Sequence, residues 1–305
     1  MRCRKTNLAI TQTMTILILL LGLFSFSQPV EIVPPESTVD ALYLSTDDGA
    51  SWTNFAKGLP ANVQTRTVFE HEGTLFLITG NHGIFRLAKN SDTWRRSSTG
   101  LPFNEPFFHP LSLTVTGNVL VLGTFQDGVF LSRDGGRTWY ASPDHFEQVA
   151  ANFLPTGEVL LAGTHAGIWT SGDNGEHWNR NEEDLTPING MLMHRGKIHV
   201  ARQNGMGVLE DGKIVWSEMR SDWAIIQLLQ DEEYIYAVSA YREIFRSRDG
   251  KHWESPCEEG IIRQPQTLAQ YLWNGYRPAP PTQLVPATIV NTSRGWVLPV
   301  NNGGC

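Results

Sequence analysis

The sequence predicts an all-β fold in which one four-stranded unit repeats around a ring, and three observations carry that expectation. First, the pattern Ser-x-Asp-(x)-Gly-x-x-Trp recurs at Ser45, Asp47, Gly49, Trp52, at Ser132, Asp134, Gly136, Trp139, at Ser171, Asp173, Gly175, Trp178, and, one residue tighter, at Ser247, Asp249, Gly250, Trp253. Second, decayed copies end at Trp94 (Asn90-Ser-Asp-Thr-Trp) and Trp216 (Glu210-Asp-Gly-Lys-Ile-Val-Trp). The tryptophans therefore return at a period of about forty residues, the mark of a repeat architecture. Third, short β-rich runs fill each period, and no segment sustains a helical one.

Taken in chain order, residues 1–27 read as a secretory signal. Arg2, Arg4 and Lys5 precede the apolar run Met14 to Phe26, which ends in Ser25-Phe26-Ser27. The run is short for a membrane span, and an uncleaved anchor is the alternative. Residues 28–40 form a linker, and 41–305 form one repeat domain. Within a period the runs GTLFLIT from Gly73, GNVLVLGT from Gly117, GEVLLAGT from Gly157 and GKIHVA from Gly196 read as second strands. Inner strands precede them at Thr65 to His71, Leu111 to Val115, Ile188 to His194 and Ala224 to Gln230. Third strands follow at Gly83, Gly128, Gly167, Gly207 and Glu243, each leading into the motif turn. Gly-Leu-Pro at Gly58 and again at Gly100 marks the crossing to the next unit. Residues 255–283, rich in proline and aromatics, form an inserted loop longer than an ordinary crossing.

In the motif, Asp and Ser can bond the backbone of a tight turn, Gly supplies a positive φ, and Trp returns as an apolar wedge. These are structural roles. The motif and its spacing resemble the Asp-box, or BNR, repeats of β-propellers found in sialidases, sortilin-type receptors and photosystem II assembly factors. The resemblance covers residues 41–305 and implies that the motif turns are scaffold, remote from any ligand. Ala41-Leu-Tyr-Leu-Ser matches a third strand, so the first blade lacks its inner pair. Ala287 to Val290 and the run from Gly295 mimic the missing strands. Pairing the two termini in one blade then removes an exposed edge and closes six blades. The alternative is seven blades, with Thr292-Ser-Arg-Gly-Trp296 as a further decayed motif.

If the motif turns join strands three and four, the loops between strands two and three lie on the opposite face, which the resemblance implies is the ligand side. By counting, that face carries His82, Asp127, His165, Asn204 and Arg242, with His109, Glu147 and Arg220 on crossings nearby. Tyr276 and Arg277 in the long loop could stack on a sugar or peptide. Taken singly, each reads as a solvated loop residue. Cys257 and Cys305 are the two thiols that survive signal cleavage, and in an oxidising compartment they could pair across the closure.

The chemistry excluded is broader than the chemistry indicated. Acidic residues number 31 against 24 Lys and Arg, and loss of the signal's three basic residues lowers the net charge of −7 further. No basic stripe is present for nucleic acid. There is no nucleophile elbow, phosphate-binding glycine loop or Cys/His cluster, so no cofactor or metal is implied. The sialidase resemblance also stops short of that family's Arg-Ile-Pro segment, which is missing ahead of Ser45. The expectation is a secreted or periplasmic, non-catalytic propeller presenting its loop face to a protein or glycan. A sialidase-like glycoside hydrolase and an assembly factor are the alternatives.

Overall fold

A computed structural model describes residues 41–102, 110–125, 127–144, 150–181, 185–240, 243–255, 285–286 and 290–301. Residues 1–40, read above as signal and linker, residues 256–283, read as the inserted loop, and His109, Glu147, Arg242, Cys257, Tyr276, Arg277 and Cys305 lie outside the described residues.

The fold is all-β, a ring of six antiparallel blades, a six-bladed β-propeller. Blade two runs from the axis outward through Thr65–His71, Thr74–Thr79, Ile84–Leu87 and Arg95–Arg96. Blade three repeats this with Pro110–Thr116, Val119–Thr124, Val129–Ser132 and Tyr140–Ala141, and blade four with Ala150–Pro155, Leu160–Thr164, Gly167–Ser171 and Asn179–Arg180. Blade five comprises Gly190–His194, Lys197–Arg202, Gly205–Glu210 and Lys213–Trp216. Blade six has Ile225–Gln230, Ile235–Ser239 and Ile244–Ser247, with a bridge from Arg246 to Glu254 in the fourth place.

Blade one is shared between the ends of the chain. Leu42–Ser45 pairs on one side with Thr53–Asn54 and on the other with Gly295–Asn301, in the register Leu42 opposite Pro299 and Ser45 opposite Trp296. Val290–Thr292 supplies the inner strand. The seven-bladed alternative fails here. Thr292 pairs with Gly295 across a tight turn between the first two strands, so Trp296 opens a second strand and ends no motif.

Second strands such as Val119–Thr124 are buried at every residue, because a blade has a neighbour on both faces. The apolar core is accordingly a series of layers between blades. Leu42, Val297, Leu75, Leu77 and Trp94 form the layer between blades one and two; Phe76, Leu120, Phe130 and Trp139 form the next.

The motif turns sit at the outer corner of these layers. In blade three Ser132 Oγ donates to Asp134 Oδ1 (2.9 Å) and accepts from Gly136 N–H (2.9 Å), while Thr138 donates its N–H to Asp134 Oδ1 (2.9 Å) and its hydroxyl to Oδ2 (2.7 Å). Blades four and six repeat the network with His177 and His252 in the place of Thr138, their Nδ1 atoms 2.6 and 2.7 Å from Asp173 and Asp249. The residue before each Trp is thus a second donor to the Asp. Burial raises the Asp134 pKa, but the bonds from Thr138, Ser132 and Arg137 outweigh it and bring the carboxyl down to about 2.

The tryptophans of blades two, three and four also grip the preceding blade. Trp94 N–H donates to Lys57 O (2.8 Å) and Trp139 N–H to Thr99 O (2.9 Å); their indole N–H groups reach Phe55 O and Ser97 O. Gly58 and Gly100 follow these acceptors with φ of 92° and 87°, and a Cβ on either would fall on the Trp carbonyl of the next blade. That contact explains the Gly-Leu-Pro repeat. In blade four the same place is taken by a side chain, since Trp178 N–H donates to Asp144 Oδ2 (2.7 Å).

Blade five departs from the pattern. Asp211 and Gly212, both at positive φ, make a two-residue hairpin in which Glu210 pairs with Lys213. The tight turn suits Asp-Gly. It lengthens the fourth strand, so that Trp216 stands within the strand opposite Gly207, with the Arg202 guanidinium 4.3 Å from its ring centre. The seam to blade six carries a further exception. His199 occupies the register place of Phe76, and Gly250 lies on its ring as Gly136 lies on Phe76. His199 is 1% exposed and its Nδ1 has no hydrogen-bond partner; the His194 ring stands 6.2 Å away. Burial, then repulsion from His194, lowers its pKa to about 4.

Two outcomes follow. An unfolded His titrates near 6.5, so between pH 6.5 and 4 the unfolded chain holds the extra proton and stability falls as pH drops, by up to about 3 kcal/mol. His199→Phe should remove most of that acid slope in urea titrations run at pH 4 to 7; an unchanged slope would assign it elsewhere. Asp134→Ala should lower stability by about 1 to 2 kcal/mol, through loss of the acceptor for Thr138 and Arg137, as read by denaturant midpoint.

Candidate functional site

Strand order places the motif turns and the turns between strands one and two at one end of the ring. The loops between strands two and three, and the crossings between blades, lie at the other end. This second face is built on a repeated hydroxyl cap. Thr79 Oγ1 donates to Gly83 O (2.8 Å) and accepts from His82 N–H (2.9 Å); Thr124 does the same for Gly128 O and Asp127 N–H (2.8 and 2.9 Å). Thr164 bonds Gly167 O (2.9 Å) and Ala166 N–H (3.0 Å), and Ser239 accepts from Glu243 N–H (3.0 Å). All four caps are fully buried, so each closes a loop whose tip faces water.

His82, Asp127 and His165 sit on three such tips, in blades two to four, and Asn204 sits on the corresponding loop of blade five, where Arg202 stands in place of the capping hydroxyl. Each occupies a different blade, and no hydrogen bond joins any two of them among the described residues. His82 instead meets the crossing from blade one, its Nε2 2.8 Å from Asn62 Oδ1. Burial, then the nearby Arg96 charge, holds its imidazole below the usual pKa. Arg220 is turned onto backbone, donating to Ser217 O (3.0 Å) and Met219 O (2.8 Å). Among the described residues no three His, Cys, Asp or Glu side chains gather as a metal site. Among these residues no helix is long and apolar enough to cross a membrane.

The sector over blades five and six has a different character. Ser221 Oγ accepts from Trp223 N–H (3.1 Å) and shares its proton between Trp223 O (2.8 Å) and Glu243 Oε2 (2.7 Å). Ser221 N–H donates to Asn204 O and Ile225 N–H to Gln203 O. The crossing is therefore laced to both adjoining loops. On it Trp223 is 44% exposed, and three residues later Ile226 is 57% exposed. Ile226 is the extra residue of a β-bulge, since Ile225 pairs with Ser239 and Gln227 with Val238. Equivalent bulges carry Arg66, Leu111 and Ala151 at the heads of the inner strands of blades two, three and four. Beside Ile226 a cavity of about 100 Å³ opens between the inner strands of blades four, five and six, lined by Asn152, Asn189, Met191, Gln227 and Leu228 among others.

No family model matches the chain. The VPS10 domain-containing receptor SorCS3 of Mus musculus is 28% identical over 160 residues, covering 50% of this chain and 12% of the receptor. A probable oligoxyloglucan-reducing end-specific xyloglucanase of Neosartorya fischeri is 22% identical over 204 residues, 59% of this chain and 24% of that enzyme. The chain thus spans less than a quarter of the length of either relative. Of solved structures, the extracellular domain of the hybrid two component system BT3049 from B. thetaiotaomicron superposes with a TM-score of 0.56 at 11% identity, over 84% of this chain and 37% of that one. YCF48 bound to D1 peptide gives 0.51 at 16%, over 65% and 71%. These structural likenesses are of fold.

Sequence reading found the loop tips and missed what supports and flanks them. The caps had a signal, a Thr closing the runs GTLFLIT, GNVLVLGT and GEVLLAGT at one register. Trp223 and Ile226 had none, because a Trp outside the motif period and an Ile on an inner strand both read as core. Thr124→Val should cost about 1 kcal/mol, since the Asp127 N–H loses its acceptor and the Gly128 carbonyl keeps only the Thr124 N–H. Amide exchange at Asp127 should quicken while that of Leu122 stays slow, as measured by hydrogen exchange.

Proposed function

We propose that this chain is a secreted, non-catalytic propeller of the Asp-box kind that binds a protein or glycan through the face of its strand two to three loops and crossings. One observation carries the reading: Trp223 is left exposed on a crossing whose backbone is hydrogen-bonded on both sides, and Ile226 is exposed at the head of the strand that the crossing leads into. Ordering the crossing in advance lowers the entropy cost of binding, and exposed aromatic residues are the usual energetic anchors of interfaces. The motif turns, at the opposite end, serve as scaffold. Secretion is supported by the basic and apolar pattern of residues 1–27. Among the structural neighbours, one is an extracellular domain and another is bound to a peptide.

The relative that is a xyloglucanase makes glycoside hydrolysis the reading to test alongside. The mature secreted chain should retain a protein or glycan in pull-downs and release nothing from a fluorogenic glycoside panel. Trp223→Ala should reduce retention at least tenfold with an unchanged melting temperature. Turnover on any glycoside would transfer the reading to an enzyme, and full retention by the variant would move the contact away from this crossing.

A further inference from the structure

The cavity beside Ile226 has a definite hydrogen-bonding pattern. Asn152 lies on the inner strand of blade four, and its Oδ1 accepts Met191 N–H from blade five (2.8 Å). Asn189, just ahead of the inner strand of blade five, donates Nδ2 to Ile225 O of blade six (3.4 Å). A backbone N–H must meet an oxygen and a carbonyl must meet an N–H, so these contacts fix which end of each amide is which. What is left over is a donor, Asn152 Nδ2, and an acceptor, Asn189 Oδ1, both on residues lining the same cavity. No lining residue carries a charge. A charged group entering would lose its hydration with no counter-ion to replace it. Water needs about 10 to 15 Å³ of comparable space, so about 100 Å³ has room for one side chain in place of several waters.

We propose that this cavity seats the uncharged carboxamide of an Asn or Gln side chain presented by a polypeptide, its oxygen accepting from Asn152 Nδ2 and its NH₂ donating to Asn189 Oδ1. The site rests on the binding role of this face and names its ligand. Ile226 is part of its lining and the exposed Trp223 lies three residues earlier in the chain, two apolar side chains of unlike shape, which suits the neighbouring side chains of a peptide better than the repeated flat rings of a sugar polymer.

A library of linear peptides selected against the full chain should enrich Asn or Gln at one position, and changing that residue to Leu or Glu should weaken Kd at least tenfold. Asn152→Asp keeps the acceptor for Met191 N–H but exchanges the donor for a carboxylate. It should turn the preference at that position from Gln toward Lys at an unchanged Tm. No enriched carboxamide, or the same ranking of peptides on wild type and Asn152→Asp, overturns the proposal. So does Asn152-dependent binding of N-acetylglucosamine oligomers without peptide binding, since the acetamido group is then the ligand. Peptide binding that falls with Trp223→Ala and ignores Asn152→Asp leaves the binding face in place and removes the carboxamide site alone.

Discussion

Every blade of this ring is apolar on both faces, so each depends on a neighbour to either side, and the ring as a whole depends on the pairing of Leu42–Ser45 with Gly295–Asn301. Without that pairing, blade one divides into two outer strands at one end of the chain and two inner strands at the other. Leu42, Val297 and Leu298 are fully buried in it, each worth roughly 1.5 to 3 kcal/mol. Polar contacts hold the same seam. Thr65 Oγ1 lies 3.2 and 3.1 Å from the carbonyls of Ala41 and Val300, one from each end of the chain. Arg294 reaches the carbonyls of Ala88, Lys89 and Ser91 at the turn of blade two.

The same dependence explains which parts of the repeat vary. What a blade requires from its neighbour is a filled layer and an acceptor for the Trp N–H, and the residues that meet those needs are free to change. A backbone carbonyl accepts from Trp94 and Trp139, and the Asp144 carboxylate accepts from Trp178. Thr138 and His177 give the motif Asp the same second bond through a hydroxyl and an imidazole. Blade five drops the motif for an Asp-Gly hairpin and still fills its layer, with Ile214 packed beside Leu161 and Val200. His199 fills a slot where other blades place Phe76, Val121 or Tyr236, and the misfit shows as an unpaired ring nitrogen.

The fold was legible because its signals are local and periodic. The motif spacing set the blade count, and the mimicry between the run from Gly295 and that from Gly73 disclosed the closure. Trp296 remained ambiguous because a Gly-Trp pair reads alike at the head of a second strand and near the end of a decayed motif; only pairing with Ser45 separates them. The inner strand Ala150–Pro155 carried no clear signal, since Ala-Ala-Asn-Phe has neither alternation nor β-branched residues. The candidate site was less legible for a physical reason. A loop tip is defined by its place in a turn, which can be counted, whereas exposure of Trp223 and the shared cavity of Asn152 and Asn189 depend on three blades meeting at the axis.

The motif turns and the candidate loop face are therefore separated along each strand, and the separation has an asymmetry. In blades two, three and four a buried Thr closes the second strand, and the tips above it carry His82, Asp127 and His165 on one backbone frame. In blade five Arg202 takes that register place and its guanidinium lies over Trp216, so the loop of Gln203 and Asn204 is held instead through the crossing, by Ser221 and Ile225. That crossing is the one that presents Trp223. The break in the repeat and the exposed apolar surface thus occur together, because a crossing enlisted to hold its neighbouring loops must run above them, where its side chains meet solvent.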